Sequence, residues 1–108
     1  VITALDGGHE PDRDQLRDAV RILLADLAAR APGRSVEVRV PPYGAIQCIH
    51  GPRHNRGTPP NVIETDPVTW ITLATGRLAW ADATAAGRVR ASGTRIDISA
   101  LLPLWEAP

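Results

Sequence analysis

Lysine, methionine and phenylalanine are missing from this 108-residue chain, and cysteine occurs once. A single cysteine, Cys48, excludes an internal disulfide and fits a reducing compartment. No apolar run approaches the roughly 20 residues that a membrane-spanning helix needs. No signal-peptide pattern is visible either, so a cytoplasmic setting with no transmembrane segment is expected. The sequence also lacks an excess of either charge. Its twelve cationic side chains, all arginine, balance twelve aspartates and glutamates. Nucleic-acid binders usually carry a basic excess, so no nucleic-acid partner is expected. An arginine-only, alanine-rich composition is what GC-rich coding produces by itself. A core of Ala, Val and Leu with three Trp has few large side chains and leaves voids easily.

A chain of this length supports one core, so residues 1–108 are expected to form a single domain. Residues 1–11 show no hydrophobic period and contain Gly7, Gly8 and Pro11, which reads as a loose lead-in. From Asp12 to Ala31, Leu16, Val20, Leu23, Leu27, Ala28 and Ala31 recur at helical spacing. Asp12 with Gln15 forms a capping-box pattern, and Pro32-Gly33 supplies the stop. Asp14–Arg17, Asp18–Arg21 and Asp26–Arg30 stand at i,i+3 or i,i+4 and predict a solvated outer face.

Ser35–Val40 alternates strictly, with Val36, Val38 and Val40 opposite Glu37 and Arg39, the pattern of a strand with one face open to water. Pro41-Pro42-Tyr43-Gly44 turns the chain. Ala45–Ile49 then reads as a second, antiparallel strand. Its alternation is mixed: Ala45, Gln47 and Ile49 against Ile46, Cys48 and His50, so either face buries a polar residue. A rigid polar loop (Gly51–Pro60) and a short strand (Asn61–Thr65) follow. Asp66-Pro67 is a strong helix start, and Val68, Trp70, Ile71, Leu73 and Ala74 make that helix apolar nearly all round. Gly76 ends it. A short helix is expected over Trp80–Ala86, a strand over Arg88–Ser92, and a last turn over Ala100–Leu102 capped by Asp97 or Ser99. Strands grouped apart from helices imply an α+β fold with helices on one face of the sheet.

Several clusters could carry chemistry. His50, Arg53, His54 and Arg56 lie in one loop with no acid among them, a composition suited to an anion. The plainer alternative is a stiff solvated connection whose arginines reach sheet acids such as Glu37 or Glu64. Cys48, His50 and His54 offer three donors to a metal, but a structural zinc site normally takes four and no second cluster exists. A Cys48–His54 nucleophile pair would need an orienting acid and a lowered thiol pKa. No nucleophile-elbow, phosphate-loop or dinucleotide pattern is present. Neither a catalytic residue, a metal nor a cofactor is therefore expected. Trp70, Trp80 and Trp105 either pack in the core or surround an apolar pocket.

Some longer motifs are more particular. Thr75-Gly76-Arg77-Leu78, then Ala83, Gly87-Arg88-Val89 running to Gly93, and Leu101-Leu102 follow one another at definite spacings. Upstream stand P-P-Y-G-A-I-Q-C-I, G-P-R-H-N-R-G-T-P-P-N-V-I-E-T-D-P and L-A-T-G-R-L-A-W-A-D-A. Together they resemble the sterol carrier protein family, and in particular its bacterial, mostly actinobacterial branch, over about residues 15 to 104. His50 departs from the branch, which usually has an acid there. The chain given also stops soon after Leu104, which implies a short C-terminal lid.

The resemblance implies a mixed, mostly antiparallel sheet of about four or five strands with helices packed on one face. It also implies an apolar cavity between sheet and helices that takes an apolar small molecule such as a fatty acyl chain, a sterol or another lipid, with no cofactor. Ile46, Cys48, Trp70, Leu73, Leu78, Val89, Leu101 and Leu104 are the expected cavity residues. Gln47, Arg53, His54, Arg56, Asn61 and Glu64 are the expected polar rim. A non-enzymatic binding or carrier domain is the leading expectation. The alternative is an enzyme or enzyme-accessory domain using the polar loop 50–64, a role the related accessory module of mycothiol-dependent isomerases illustrates. A pure interaction module is the third class.

Overall fold

A computed structural model describes residues 12–50, 61–93 and 98–104. The lead-in 1–11, the polar loop Gly51–Pro60, Asp97 and Trp105 lie outside these described residues.

Helix α1 (Arg13–Arg30) forms where the period places it, with Asp12 as N-cap accepting from the Gln15 amide at 3.4 Å. Its buried stripe is Val20, Leu24 and Leu27, while Leu23 is only half-buried. Val20 and Leu27 are thus buried as the pattern expects, Leu24 takes the place of Leu23, and Ile22 stays 68% exposed. Asp14–Arg17 and Asp26–Arg30 pair as spacing predicts, at 3.4 and 3.1 Å. Asp18 and Arg21 do not pair. Asp18 takes Arg17 instead, and Arg21 Nε donates to the Tyr43 carbonyl at 2.9 Å, tying the helix to the hairpin turn.

Strands β1 (Val36–Val40), β2 (Gly44–Cys48), β3 (Asn61–Thr65) and β4 (Val89–Ser92) make a four-stranded sheet in the order β2-β1-β3-β4. β1 pairs antiparallel with β2 and parallel with β3, and β3 pairs antiparallel with β4. The architecture is thus α+β, with a mixed and mostly antiparallel sheet. Register assigns the two faces. Val36, Val38 and Val40 align with Cys48, Ile46 and Gly44 on one side and with Asn61 and Ile63 on the other. This face is buried under α1 and under α2 (Pro67–Ala74). Glu37, Arg39, Gln47, Glu64 and Arg90 stand on the opposite face, which no helix of the described residues covers, and there Glu37 pairs with Arg39.

The expected second strand ends one residue early. Ile49 has φ 66°, a left-handed conformation that a β-branched residue rarely adopts. Its amide donates to the Ala31 carbonyl at 2.6 Å, and its carbonyl accepts from both the amide and the hydroxyl of Ser35. The alternation breaks there, so His50 is exposed and is not carried inward with Cys48. That resolves the mixed pattern of β2: Ile46 and Cys48 turn inward, and no charged group goes with them.

Helix α2 starts at the predicted cap. Asp66 accepts from the Thr69 amide at 3.0 Å and from its hydroxyl at 2.5 Å, with Pro67 in the first turn. Thr69, Trp70, Ile71, Leu73 and Ala74 are buried, whereas Val68, counted among the apolar positions, is 37% exposed. Trp70 joins the two helices, its indole nitrogen donating to the Val20 carbonyl at 3.4 Å. Helix α3 (Trp80–Ala85) buries Ala83. The last turn is a 3-10 turn over Ser99–Leu101, in which Ser99 is the first residue and not the cap, and no side chain caps it.

Candidate functional site

The end of α2 creates a concavity. Thr75 caps the helix and Gly76 takes φ 79°, after which the amides of Arg77 and Leu78 both donate to the Thr72 carbonyl at 2.9 and 3.1 Å. Wrapping the chain back on its own helix end keeps Thr75 buried and leaves Gly76 and Ala79 exposed before α3 begins at Trp80. The C-terminal segment then returns to the same place. The Leu104 amide donates to the Ala74 carbonyl at 2.8 Å, and the Pro103 ring lies against Gly76. Between the α2–α3 connection and residues 99–103 is a cleft of about 820 Å³, within the range of small-molecule sites.

Its walls are mainly apolar: Leu73, Leu78, Trp80, Leu102 and Pro103. Thr75, Arg77 and Ser99 add polar groups, and no aspartate or glutamate lines it among the described residues. The Thr75 hydroxyl is engaged within its helix, donating to the Ile71 carbonyl at 2.7 Å. Arg77 is half-buried, with Nη1 shielded from solvent. The arrangement can hold a chain-like or flat apolar body beside one permanent cation.

Of the expected cavity residues, Leu73 and Leu78 line this cleft. Cys48, Trp70 and Leu104 are instead buried in the core, and Ile46, Val89 and Leu101 pack against that core from its margin. Trp80 joins the cleft, whereas Trp105 lies outside the described residues. Sequence reasoning missed Thr75, Gly76, Leu102 and Pro103 as lining residues. A signal was present: Thr75-Gly76-Arg77-Leu78 stood out as a motif, but only as a family marker.

Of the expected polar rim only Gln47, Asn61 and Glu64 fall within the described residues, and these three do not share one face. Arg53, His54 and Arg56 lie outside the described residues. Gln47 and Glu64 occupy the uncovered sheet face. Asn61 sits on the covered face, where its Nδ2 donates to the buried Ser35 carbonyl at 3.0 Å. Glu64 instead borders a smaller cleft of about 510 Å³ with Asp66, Arg88 and Arg90, whose charges are mixed.

Cys48 is fully buried, and burial pushes its thiol from 9.0 up to about 11. A neutral, enclosed thiol is a poor nucleophile and a poor metal ligand. His50 lies beyond the left-handed turn at Ile49 and is exposed, whereas Cys48 is buried. Among the described residues, no group of three His, Cys, Asp or Glu side chains is placed to hold a metal ion. No helix among them is long and apolar enough to cross a membrane.

The family model that describes bacterial SCP orthologs matches residues 12–104. No curated protein matches the chain.

Proposed function

This chain belongs to the family of bacterial sterol carrier protein orthologs, and from that premise we propose that it is a one-domain, non-enzymatic carrier of an apolar small molecule. Fatty acyl chains, sterols and other lipids are the ligand classes. The observation that carries the proposal is the cleft of about 820 Å³, whose apolar walls come from Leu73, Leu78, Trp80, Leu102 and Pro103. Burying an acyl chain there removes apolar surface from water, a gain of about 25 cal/mol per Å² that opposes the cost of immobilising the ligand. A cytoplasmic setting belongs to the same proposal, because a lone buried Cys48 asks nothing of an oxidising compartment.

Native mass spectrometry of the protein as purified, with tryptophan fluorescence during alkyl-ligand titration, tests the proposal. Trp80 lines the cleft, so its emission should shift as ligand displaces water. Absence of any bound lipid, together with an unchanged spectrum across acyl and sterol ligands, would refute carriage.

A further inference from the structure

We infer that the smaller cleft beside β4 is a second binding site, one that takes a small α-amino acid as its zwitterion. The inference is independent of the carrier reading, since this cleft of about 510 Å³ shares no lining residue with the apolar one. The leading observation is a pair that does not form. Glu64 and Arg90 both line the cleft and stand directly opposite each other across β3 and β4, where Cβ atoms lie about 5 Å apart. Their side chains nonetheless make no ion pair, and among the described residues Arg88 makes none either. Asp66, the other acid of the cleft, has both carboxylate oxygens engaged by Thr69 at the start of α2. Arg88 is fixed at its root: its amide donates to the Ala83 carbonyl at 3.0 Å, and its carbonyl accepts from the Thr65 hydroxyl at 2.8 Å.

Arg88 and Arg90 are exposed while Val89 between them packs against the core, so the two guanidiniums leave the chain on one side. Guanidinium edges take a carboxylate by paired N–H bonds, and the Glu64 carboxylate accepts from an ammonium. Two arginines and two acids sum to zero charge. That balance disfavours a simple anion or a simple cation and suits a neutral molecule that carries both charges. In an α-amino acid the two groups sit on one carbon, a spacing that fits charges on directly opposite strand positions. Pro41 is the one apolar side chain lining the cleft among the described residues, so a small amino acid is favoured over a bulky apolar one.

The test titrates L-alanine, propionate and ethylamine at neutral pH into the unmodified chain, with NMR following the amides of Thr65, Gly87, Arg88 and Arg90. L-Alanine should shift them saturably and bind about tenfold tighter than propionate, a typical gain for one charge-assisted pair. Ethylamine, which lacks the carboxylate, should bind at least as weakly as propionate. In E64Q the affinity for L-alanine should fall to that for propionate, and R90Q should weaken L-alanine about tenfold. Propionate binding to the unmodified chain as tightly as L-alanine overturns the inference, because it marks a plain anion patch. So does the absence of saturable shifts with all three probes, or an L-alanine advantage that persists in folded E64Q. The comparison of probes on the unmodified chain decides zwitterion selectivity even where a variant fails to fold. Each of these outcomes leaves carriage in the apolar cleft standing, since no probe has an alkyl chain to fill it.

Discussion

Gly76 and Pro103 meet with no side chain between them: a Cβ on Gly76 would lie 3.3 Å from Cγ of Pro103. The contact joins the end of α2 to the C-terminal segment and forms the floor of the cleft. Gly76 also holds φ 79°, which an L side chain rarely adopts. Gly76→Ala should therefore cost about 1–2 kcal/mol of stability. Urea unfolding measures it, and a loss below a few tenths of a kcal/mol would mean that Pro103 yields freely.

Gly33 is more tightly enclosed. A Cβ there would approach the Ile49 carbonyl oxygen to 2.1 Å, and Gly33 itself has φ 150°. The obstacle is backbone that Ala31 and Ser35 already hold by hydrogen bonds, so relief by a side-chain rotation is not available. Gly33→Ala should destabilise the fold by roughly 3 kcal/mol, in the class of severe backbone clashes. A guanidinium titration that showed less than 1 kcal/mol would contradict this packing.

The buried thiol sets an alkaline limit. Cys48 titrates near 11 when folded, against 9.0 for the free group. Between those values the unfolded chain has lost the thiol proton and the native chain has kept it. Unfolding thus releases a proton, and stability falls as pH rises from 9 towards 11. The decline attributable to Cys48 is on the order of 2 kcal/mol. Denaturation curves at pH 8 and pH 10.5 should converge towards each other in Cys48→Ala relative to the unmodified chain. A thiol reagent should also label the native protein only at the rate of opening.

Leu78 separates binding from folding. It is half-buried and lines the cleft, so its removal exposes little of the main core. Leu78→Gln should weaken binding of a twelve-carbon alkyl ligand about tenfold, the value of one apolar side chain withdrawn from the contact. Its unfolding midpoint should move little. Unchanged ligand affinity would place the alkyl chain elsewhere.

The uncovered face of the sheet shows how far pattern carries and where it stops. Strict alternation in β1 predicted Val36, Val38 and Val40 inside and Glu37 and Arg39 outside, and the structure has them so. In β2 the same rule was ambiguous. Only the left-handed Ile49, held by Ala31 and Ser35 from a distant part of the chain, decided that Ile46 and Cys48 turn inward without His50. The site was legible in part. Leu73 and Leu78 carried the hydrophobic signal, but Trp70 and Leu104 carry the same signal and went to the core. Hydrophobicity says that a side chain leaves water, not whether protein or ligand receives it.

What the sequence determined by itself was local: the caps at Asp12 and Asp66, the alternation of β1, the helix end at Gly76 and the absence of charge excess. The caps, the alternation and the helix end each depend on residues a few positions apart, whose geometry the backbone dictates, and the charge balance is a sum over the chain. Tertiary structure alone decided that β3 lies parallel beside β1, that Leu24 and not Leu23 faces the sheet, and that Leu78 and Trp80 meet Leu102 and Pro103 across a cleft. Those pairings join segments a dozen or more residues apart, and only close packing of the whole chain selects among the partners that local preference leaves open.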